Sequence, residues 1–227
     1  MISLLCPTRG RPQQAIKLYE SFINTQKNNN ELLFCIQKED LLFNEYVDLF
    51  KSHKIRNYFI SESMPTSYLW NQMAFRAKGE LLTLVGDDVI IETKNWDKKI
   101  EDEANKFKDN IFVITVDDGR ENKPNQKKTM RCPHPTVHKD WVKTLGYFVP
   151  PFFMHRYLDK YTADLAININ RYIEIKDVTF NHLKFNYLND STGKRSRNWI
   201  NYDKYIYEKV SKKYFLKDLE HLKKCIL

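Results

Sequence analysis

Over its first 116 residues the chain alternates short apolar runs with amphipathic stretches, and this alternation restricts the possible folds more than any other feature. Residues 2–6, 32–36, 58–60, 81–85 and 111–116 are apolar runs of strand length, bounded by polar or turn residues. Between them, residues 13–25 place Ile16, Tyr19, Phe22 and Ile23 at helical spacing. Residues 41–51 gather Leu42, Tyr46, Leu49 and Phe50 on one side, and residues 65–77 set Leu69, Met73 and Ala77 one turn apart. A further helix is expected across residues 96–107. Strands covered by helices on both faces read as continuous apolar runs, because neither face meets water. The pattern predicts parallel βαβ units and an α/β fold.

The second half is less regular. Residues 117–135 are polar and read as a long loop; residues 139–145 predict a short helix, and residues 146–153 are aromatic and proline-rich. Residues 157–169 are mixed, and residues 172–184 suggest two short strand pieces around Asp177. Residues 189–198 read as a basic, polar loop, and a Lys- and Tyr-rich helical tail is expected from residue 202. No repeat or linker divides the 227 residues, a length that suits one domain. A hydrophobic content of 42%, with 14% aromatic, is enough for a substantial core.

No run reaches membrane-spanning length, and the N-terminus turns polar too soon for a signal peptide. Cys6, Cys35, Cys132 and Cys225 are widely spaced, with no paired-ligand pattern, and read as reduced core residues. A cytoplasmic location is expected, in the host cytoplasm if the source is viral. The formal net charge of +8 suits a polyanionic partner, although Lys and Asn are abundant throughout, as coding composition alone would produce.

One segment bears on chemistry. A turn at Gly79 leads into the run 81–85, which ends at Gly86, Asp87 and Asp88. Carboxylates at the C-terminal edge of a buried strand stand where open α/β sheets bind ligands. They suit a divalent cation, which in turn suits a diphosphate. The same residues also make an ordinary polar exit from a strand, since Asp is common in turns.

Three segments in order carry a family resemblance. The chain opens Ile-Ser-Leu-Leu-Cys-Pro-Thr-Arg-Gly-Arg-Pro; Asn71 stands eight residues before Gly79; and Val85-Gly86-Asp87-Asp88 follows the fourth strand. Together they resemble the nucleotide-sugar glycosyltransferases of the GT-A fold, in the style of the family 2 enzymes and their viral relatives. Trp70 stands where that family has Arg, and Gly86 replaces the first Asp of its Asp-X-Asp motif. The resemblance covers roughly residues 1–190. It implies a Rossmann-like, mostly parallel sheet flanked by helices, with a nucleotide-sugar-binding half at 1–118, a less regular acceptor half at 119–200 and a helical tail at 201–227. It also implies an inverting, metal-dependent transferase using Mn²⁺ or Mg²⁺ and a nucleotide-sugar donor, expected to be a UDP-sugar.

Roles follow residue by residue from the resemblance. Asp88 becomes the first metal ligand and His182 a second, with Asp190-Ser191-Thr192 following it as in viral relatives. Asp87 contacts the metal through water or binds ribose or donor sugar. Pro7, Thr8, Arg9 and Arg11 fall in the loop that packs on base, ribose and phosphate. Asp40 or Glu39 stands where the family reads uracil or ribose, though Asp40 equally suits a helix cap. Asn71 joins the donor set. Lys194, Arg195 and Arg197 form a basic loop that closes over the diphosphate or remains solvated. Asp164 is the candidate general base, with Asp159 as rival. His134 and Phe148 are placed at the acceptor, and Phe148, Phe152 and Phe153 make either a stacking surface or core. The acceptor is a glycan, a lipid-linked sugar or a modified nucleobase. DNA is possible but not favoured, because no DNA-binding motif is present. A non-catalytic nucleotide-binding domain is the alternative from another class.

Overall fold

The computed structural model describes residues 1–119, 132–183 and 191–226. The elements run β1 (Ile2–Thr8), α1 (Pro12–Thr25), β2 (Glu31–Gln37), α2 (Phe43–Ser52), β3 (Tyr58–Ser61), α3 (Thr66–Arg76), β4 (Leu81–Leu84), β5 (Val89–Ile91) and α4 (Trp96–Ala104). They continue with β6 (Val113–Asp117), β7 (Thr136–His138), α5 (Lys139–Leu145), α6 (Leu158–Asn168), β8 (Tyr172–His182) and α7 (Ser191–Tyr205). A π-helical segment, Ile206–Val210, then leads into α8 (Ser211–Cys225).

Eight strands form one sheet in the order β3-β2-β1-β4-β7-β6-β8-β5. β1 pairs parallel with both β2 and β4, β2 with β3, and β6 with β8. This is the expected α/β architecture, a mostly parallel sheet with helices on both faces. Alternate residues of each central strand enter opposite cores. Leu4, Cys6, Leu32 and Phe34 pack with Ile16, Phe22 and Trp96 on one face, while Leu5, Leu33 and Cys35 pack with Leu69, Met73 and Trp141 on the other. Pro12 opens α1 at a position where its missing N–H costs nothing. Gly146 ends α5 at φ 82°, donating its N–H to the Val142 carbonyl.

Four features differ from expectation. First, β5 and β7 are short strands the pattern did not reveal, and both pair antiparallel, β7 with β4 and β6 and β5 with β8. β7 begins immediately after the expected loop 117–135; residues 120–131 of that stretch lie outside the described residues. Second, residues 172–182 form one strand rather than two, with a register shift against β6 between Val116 and Asp117 that absorbs the polar Lys176-Asp177 step. Residue 184 of that stretch lies outside the described residues. Third, the basic stretch is helical from Ser191, while Asn189 and Asp190 lie outside the described residues. Fourth, Cys225 is exposed, unlike the buried Cys6, Cys35 and Cys132; all four thiols are free.

Gly79 has a steric reason. A Cβ there would stand 2.7 Å from both the Met1 carbonyl and Ser3 Oγ, so a larger residue would push β4 away from β1. No helix among the described residues is long and apolar enough to cross a membrane.

Candidate active site

The central strands run parallel, so β1, β2 and β4 all deliver their last residues to the same edge. There β1 ends at Thr8 and β4 leads through Val85 and Gly86 into Asp87 and Asp88. Both carboxylates are 5% exposed, and burying two anions needs a cation. Arg11, equally buried, supplies it from the turn before α1. Its Nη1 lies 3.2 Å from Asp87 Oδ1 and 3.1 Å from Asp88 Oδ2.

A chain of hydrogen bonds fixes this pair. The Arg11 N–H donates to Tyr46 Oη at 2.9 Å, Tyr46 and Thr8 share a hydroxyl bond of 2.7 Å, and Thr8 Oγ1 donates to Asp87 Oδ2 at 2.7 Å. Such chains polarise each member toward the next. Burial pushes the Asp87 carboxyl up to about 6, against the opposing pull of Arg11. Burial first, then Asp87, raises the Tyr46 hydroxyl above its ordinary range, so it stays protonated. Burial likewise raises the neighbouring Cys6 thiol well above its usual value and leaves it inert.

His182 reaches the same place through a pairing the sequence did not reveal. Antiparallel register sets Val89 of β5 opposite His182 of β8. The main chain adds a bond from the Leu183 N–H to the Asp88 carbonyl at 2.8 Å and another from the His182 N–H to the Asp118 carbonyl at 3.0 Å. His182 Nε2 then lies 3.1 Å from Asp88 Oδ1. His134 lies beside it, its ring tilted 57° to that of His182 with centroids 6.1 Å apart, and is 2% exposed.

Among the described residues no group of three or more His, Cys, Asp or Glu is arranged to hold a metal. An Asp oxygen and an imidazole nitrogen facing each other at 3.1 Å nevertheless fit an octahedral divalent ion that takes its remaining ligands from phosphate and water. Gly86 agrees with a pair rather than a triad. A Cβ at this position would stand 2.7 Å from Asp88 Oδ1, so a side chain here would displace the carboxylate.

The other expected residues divide. Arg9 donates to Gln37 Oε1 at 3.1 Å, and Arg195 donates to the same oxygen at 2.5 Å and to the Met64 carbonyl at 2.7 Å while stacking on Trp199. Thr192 Oγ1 donates to the Arg9 carbonyl at 2.6 Å, so α7 spans the mouth at the ends of β1 and β2. Lys194 and Arg197 are exposed on that helix, and Pro7 is partly buried beside Thr8. Asp40 accepts from the Gly10 N–H at 2.6 Å and the Leu42 N–H at 3.0 Å, which makes it a brace of the Arg9–Arg11 turn. Glu39 is exposed.

Asn71 is also a brace. Its amide accepts from Phe148 and Val149 N–H groups at 2.7 and 3.1 Å and donates to the Val149 carbonyl at 2.8 Å. Phe148 and Phe153 are 1% and 0% exposed and lie in the core, so neither offers a face to an acceptor. Phe152 is partly buried and stacks on Tyr214 at 5.0 Å.

The two carboxylates of α6 have different surroundings. Asp164 Oδ2 accepts from Lys160 Nζ at 2.9 Å and from the Tyr207 hydroxyl of the tail at 3.0 Å. Burial raises the Asp159 carboxyl above its ordinary value. Asp159 lies within electrostatic reach of Cys132, two residues from His134.

No protein-family model matches the chain, and no curated protein does. Solved structures do. S. aureus TarS residues 1–349 superpose at TM-score 0.63 with 13% identity, over 99% of this chain and 80% of that one. Against a longer form of TarS the chain spans only 36% of the length. Mannosyltransferase PcManGT from Pyrobaculum calidifontis, in complex with GDP-Man and Mn²⁺, superposes at 0.62 with 11% identity, over 99% of this chain and 73% of that one. Glucosyl-3-phosphoglycerate synthase from Mycobacterium tuberculosis, with Mg²⁺ and UDP, superposes at 0.57 with 7% identity, over 82% and 72%. At such identities the likeness speaks for architecture, and the architecture of this chain is the GT-A fold of these glycosyltransferases.

Proposed function

We propose that the protein is a glycosyltransferase that moves a sugar from a nucleotide-sugar donor, a UDP-sugar, to an acceptor hydroxyl with inversion at the anomeric carbon. The observation that carries this reading is the Asp88 carboxylate, buried at the end of β4 with one oxygen facing His182 and the other facing Arg11. TarS with UDP or UDP-GlcNAc bound, and PcManGT with GDP-Man and Mn²⁺, support the donor class.

Asp88 and His182 would hold Mn²⁺ or Mg²⁺, which when bound neutralises charge growing on the departing diphosphate. Arg11 keeps Asp87 and Asp88 paired and oriented before donor arrives. Arg9, Gln37 and Arg195 lie where the nucleoside enters, and α7 shields that mouth from water.

In the transfer itself the acceptor oxygen bonds to the anomeric carbon as the carbon–phosphate oxygen bond breaks, and the electron pair leaves with the nucleoside diphosphate. The acceptor proton passes to a carboxylate of α6. Asp159 suits this role better than Asp164. Its raised basicity is what a general base needs, whereas the Asp164 carboxylate is bonded to Lys160 and Tyr207.

Release of free sugar from a panel of UDP- and GDP-sugars, with and without Mn²⁺, tests the proposal. Mn²⁺-dependent hydrolysis of at least one donor is expected. No release from any, with no nucleotide binding, refutes it.

A further inference from the structure

We infer that His155 hydrogen-bonds the diphosphate of the nucleotide donor through its Nε2; the inference rests on reading the cleft as a nucleotide-sugar site. No sequence pattern singled this residue out. Its position follows from α3. Trp70 Nε1 donates to the Leu5 carbonyl at 3.0 Å, and the Val85 N–H donates to that same carbonyl at 3.1 Å. The first turn of α3 is thereby set over the exits of β1 and β4, beside the strand that delivers Asp87 and Asp88. Thr66, the first residue of that turn, bonds His155 Nδ1 at 2.9 Å.

The backbone of His155 is held as firmly as its ring. Asp203 of α7, 0% exposed, accepts three successive main-chain N–H groups: Met154 at 2.7 Å, His155 at 3.0 Å and Arg156 at 2.8 Å. Ser67 ties the same segment to α3, its hydroxyl donating to the Phe153 carbonyl at 2.5 Å and its N–H to the Met154 carbonyl at 3.3 Å. Three buried N–H groups on one carboxylate are far more than a surface turn needs, and they fix a ring rather than leave it mobile.

Arg156 and Asp203, and beyond them Asp88 and Arg11, lie within electrostatic reach of the ring, which α3 and α7 hold at the end of the sheet where β1 and β4 deliver Thr8 and Asp87. Burial first, then Arg156, lowers the imidazole to about 4, which keeps it neutral at pH 7. The Thr66–Nδ1 bond leaves either ring tautomer open; we assign the Thr66 hydroxyl as donor, which puts the ring proton on Nε2, an atom that makes no hydrogen bond among the described residues. A neutral N–H can bind a phosphate oxygen without adding fixed charge, so product diphosphate is not trapped by it.

Isothermal titration of UDP, and separately of inorganic pyrophosphate, each with Mn²⁺, tests the role in the full chain. His155→Asn keeps an amide at the Nδ1 position and removes the group at Nε2, whereas His155→Gln places an amide N–H near Nε2. The Asn variant should weaken both ligands about tenfold, the scale of one hydrogen bond to a charged group. The Gln variant should retain most of the affinity, and His221→Gln, on α8, should change nothing. Wild-type affinity in the Asn variant, or equal losses in Asn and Gln, would overturn the inference.

Should the Asn variant fail to fold, the wild-type ring decides the matter. Its Nε2 nitrogen resonance, assigned by loss in the Gln variant, must shift on adding UDP or pyrophosphate, and an unmoved resonance refutes the contact. Binding of pyrophosphate without UDP removes the uridine donor while His155 is still judged on the pyrophosphate arm. Binding of neither ligand ends both readings.

Discussion

Arg11→Met is the most informative single change to the site. The substitution keeps the length and apolar body of the side chain while removing the guanidinium that lies 3.2 and 3.1 Å from two buried carboxylates. Breaking a buried ion pair by deleting one partner costs about 3–5 kcal/mol, because the other charge is left in a poor solvent. For a chain of this size that corresponds to a fall of roughly 6–20 °C in Tm.

The pH dependence has a definite sign. A carboxyl whose folded pKa is raised contributes stability that is fully present below its unfolded value and lost as pH rises through the folded value. For Asp87 that window runs from its ordinary 3.8 to about 6 in the wild type, and losing Arg11 raises the upper limit. The deficit of the variant should therefore be full near pH 8 and shrink as the pH falls toward 4. Mn²⁺ should restore part of it at neutral pH, since a cation held by Asp88 replaces the missing charge. Urea unfolding at pH 5, 6.5 and 8, with and without Mn²⁺, measures all of this. A deficit under about 1 kcal/mol, the range of exposed pairs, or one independent of pH, refutes the account of the carboxylate pair.

Asp203→Ala should destabilise by at least about 3 kcal/mol, since three main-chain N–H groups lose a charged acceptor; denaturant unfolding, with amide exchange at residues 154–156, reads the loss and its location. Asp159→Asn should lower transfer by roughly 10²–10⁴ with donor affinity unchanged. Equal loss in Asp164→Asn alone would return the base to Asp164. Neutralising Lys194, Arg195 and Arg197 should weaken UDP binding and leave the salt dependence of any duplex DNA binding unchanged. A DNA slope flattened by two to three contacts, with UDP binding intact, would favour a nucleobase acceptor.

The parallel half of the fold was legible because each buried strand announces itself as an unbroken apolar run. Leu32–Ile36 needs no knowledge of its neighbours to be read as a strand. β5 and β7 were not legible: three residues carry no period, and Val89–Ile91 and Thr136–His138 are strands only because β8 and β4 lie beside them. The same holds for α7. Its first turns carry Gly193, Lys194, Arg195 and Arg197 with no apolar stripe, and its contacts are Thr192 on Arg9, Arg195 on Gln37 and Asp203 on the 154–156 turn.

In the site, Thr8, Arg11, Asp87, Asp88 and His182 were identified by type and order and are assembled as a group. Tyr46 and His155 were not, since an aromatic on an amphipathic helix and a lone His after prolines and aromatics look like ordinary packing. The family resemblance puts Asn71 in the donor set through its spacing to Gly79, and Phe148 reads from sequence as either an acceptor stacking surface or core. Their amide bonds and burial show that they serve the junction between α3 and the 148–149 segment.

The account turns on Asp88 sharing a divalent ion with His182 while that ion faces a nucleoside diphosphate. Calorimetric titration of UDP into the wild type and Asp88→Ala, each with and without Mn²⁺, tests this most directly. Wild-type binding should require Mn²⁺ and raise thermal stability by about 2.7 kcal/mol at a hundredfold excess over Kd. The Asp88→Ala protein, still folded, should show no Mn²⁺-dependent binding. Equal Mn²⁺-dependent affinity in the two proteins would contradict the account.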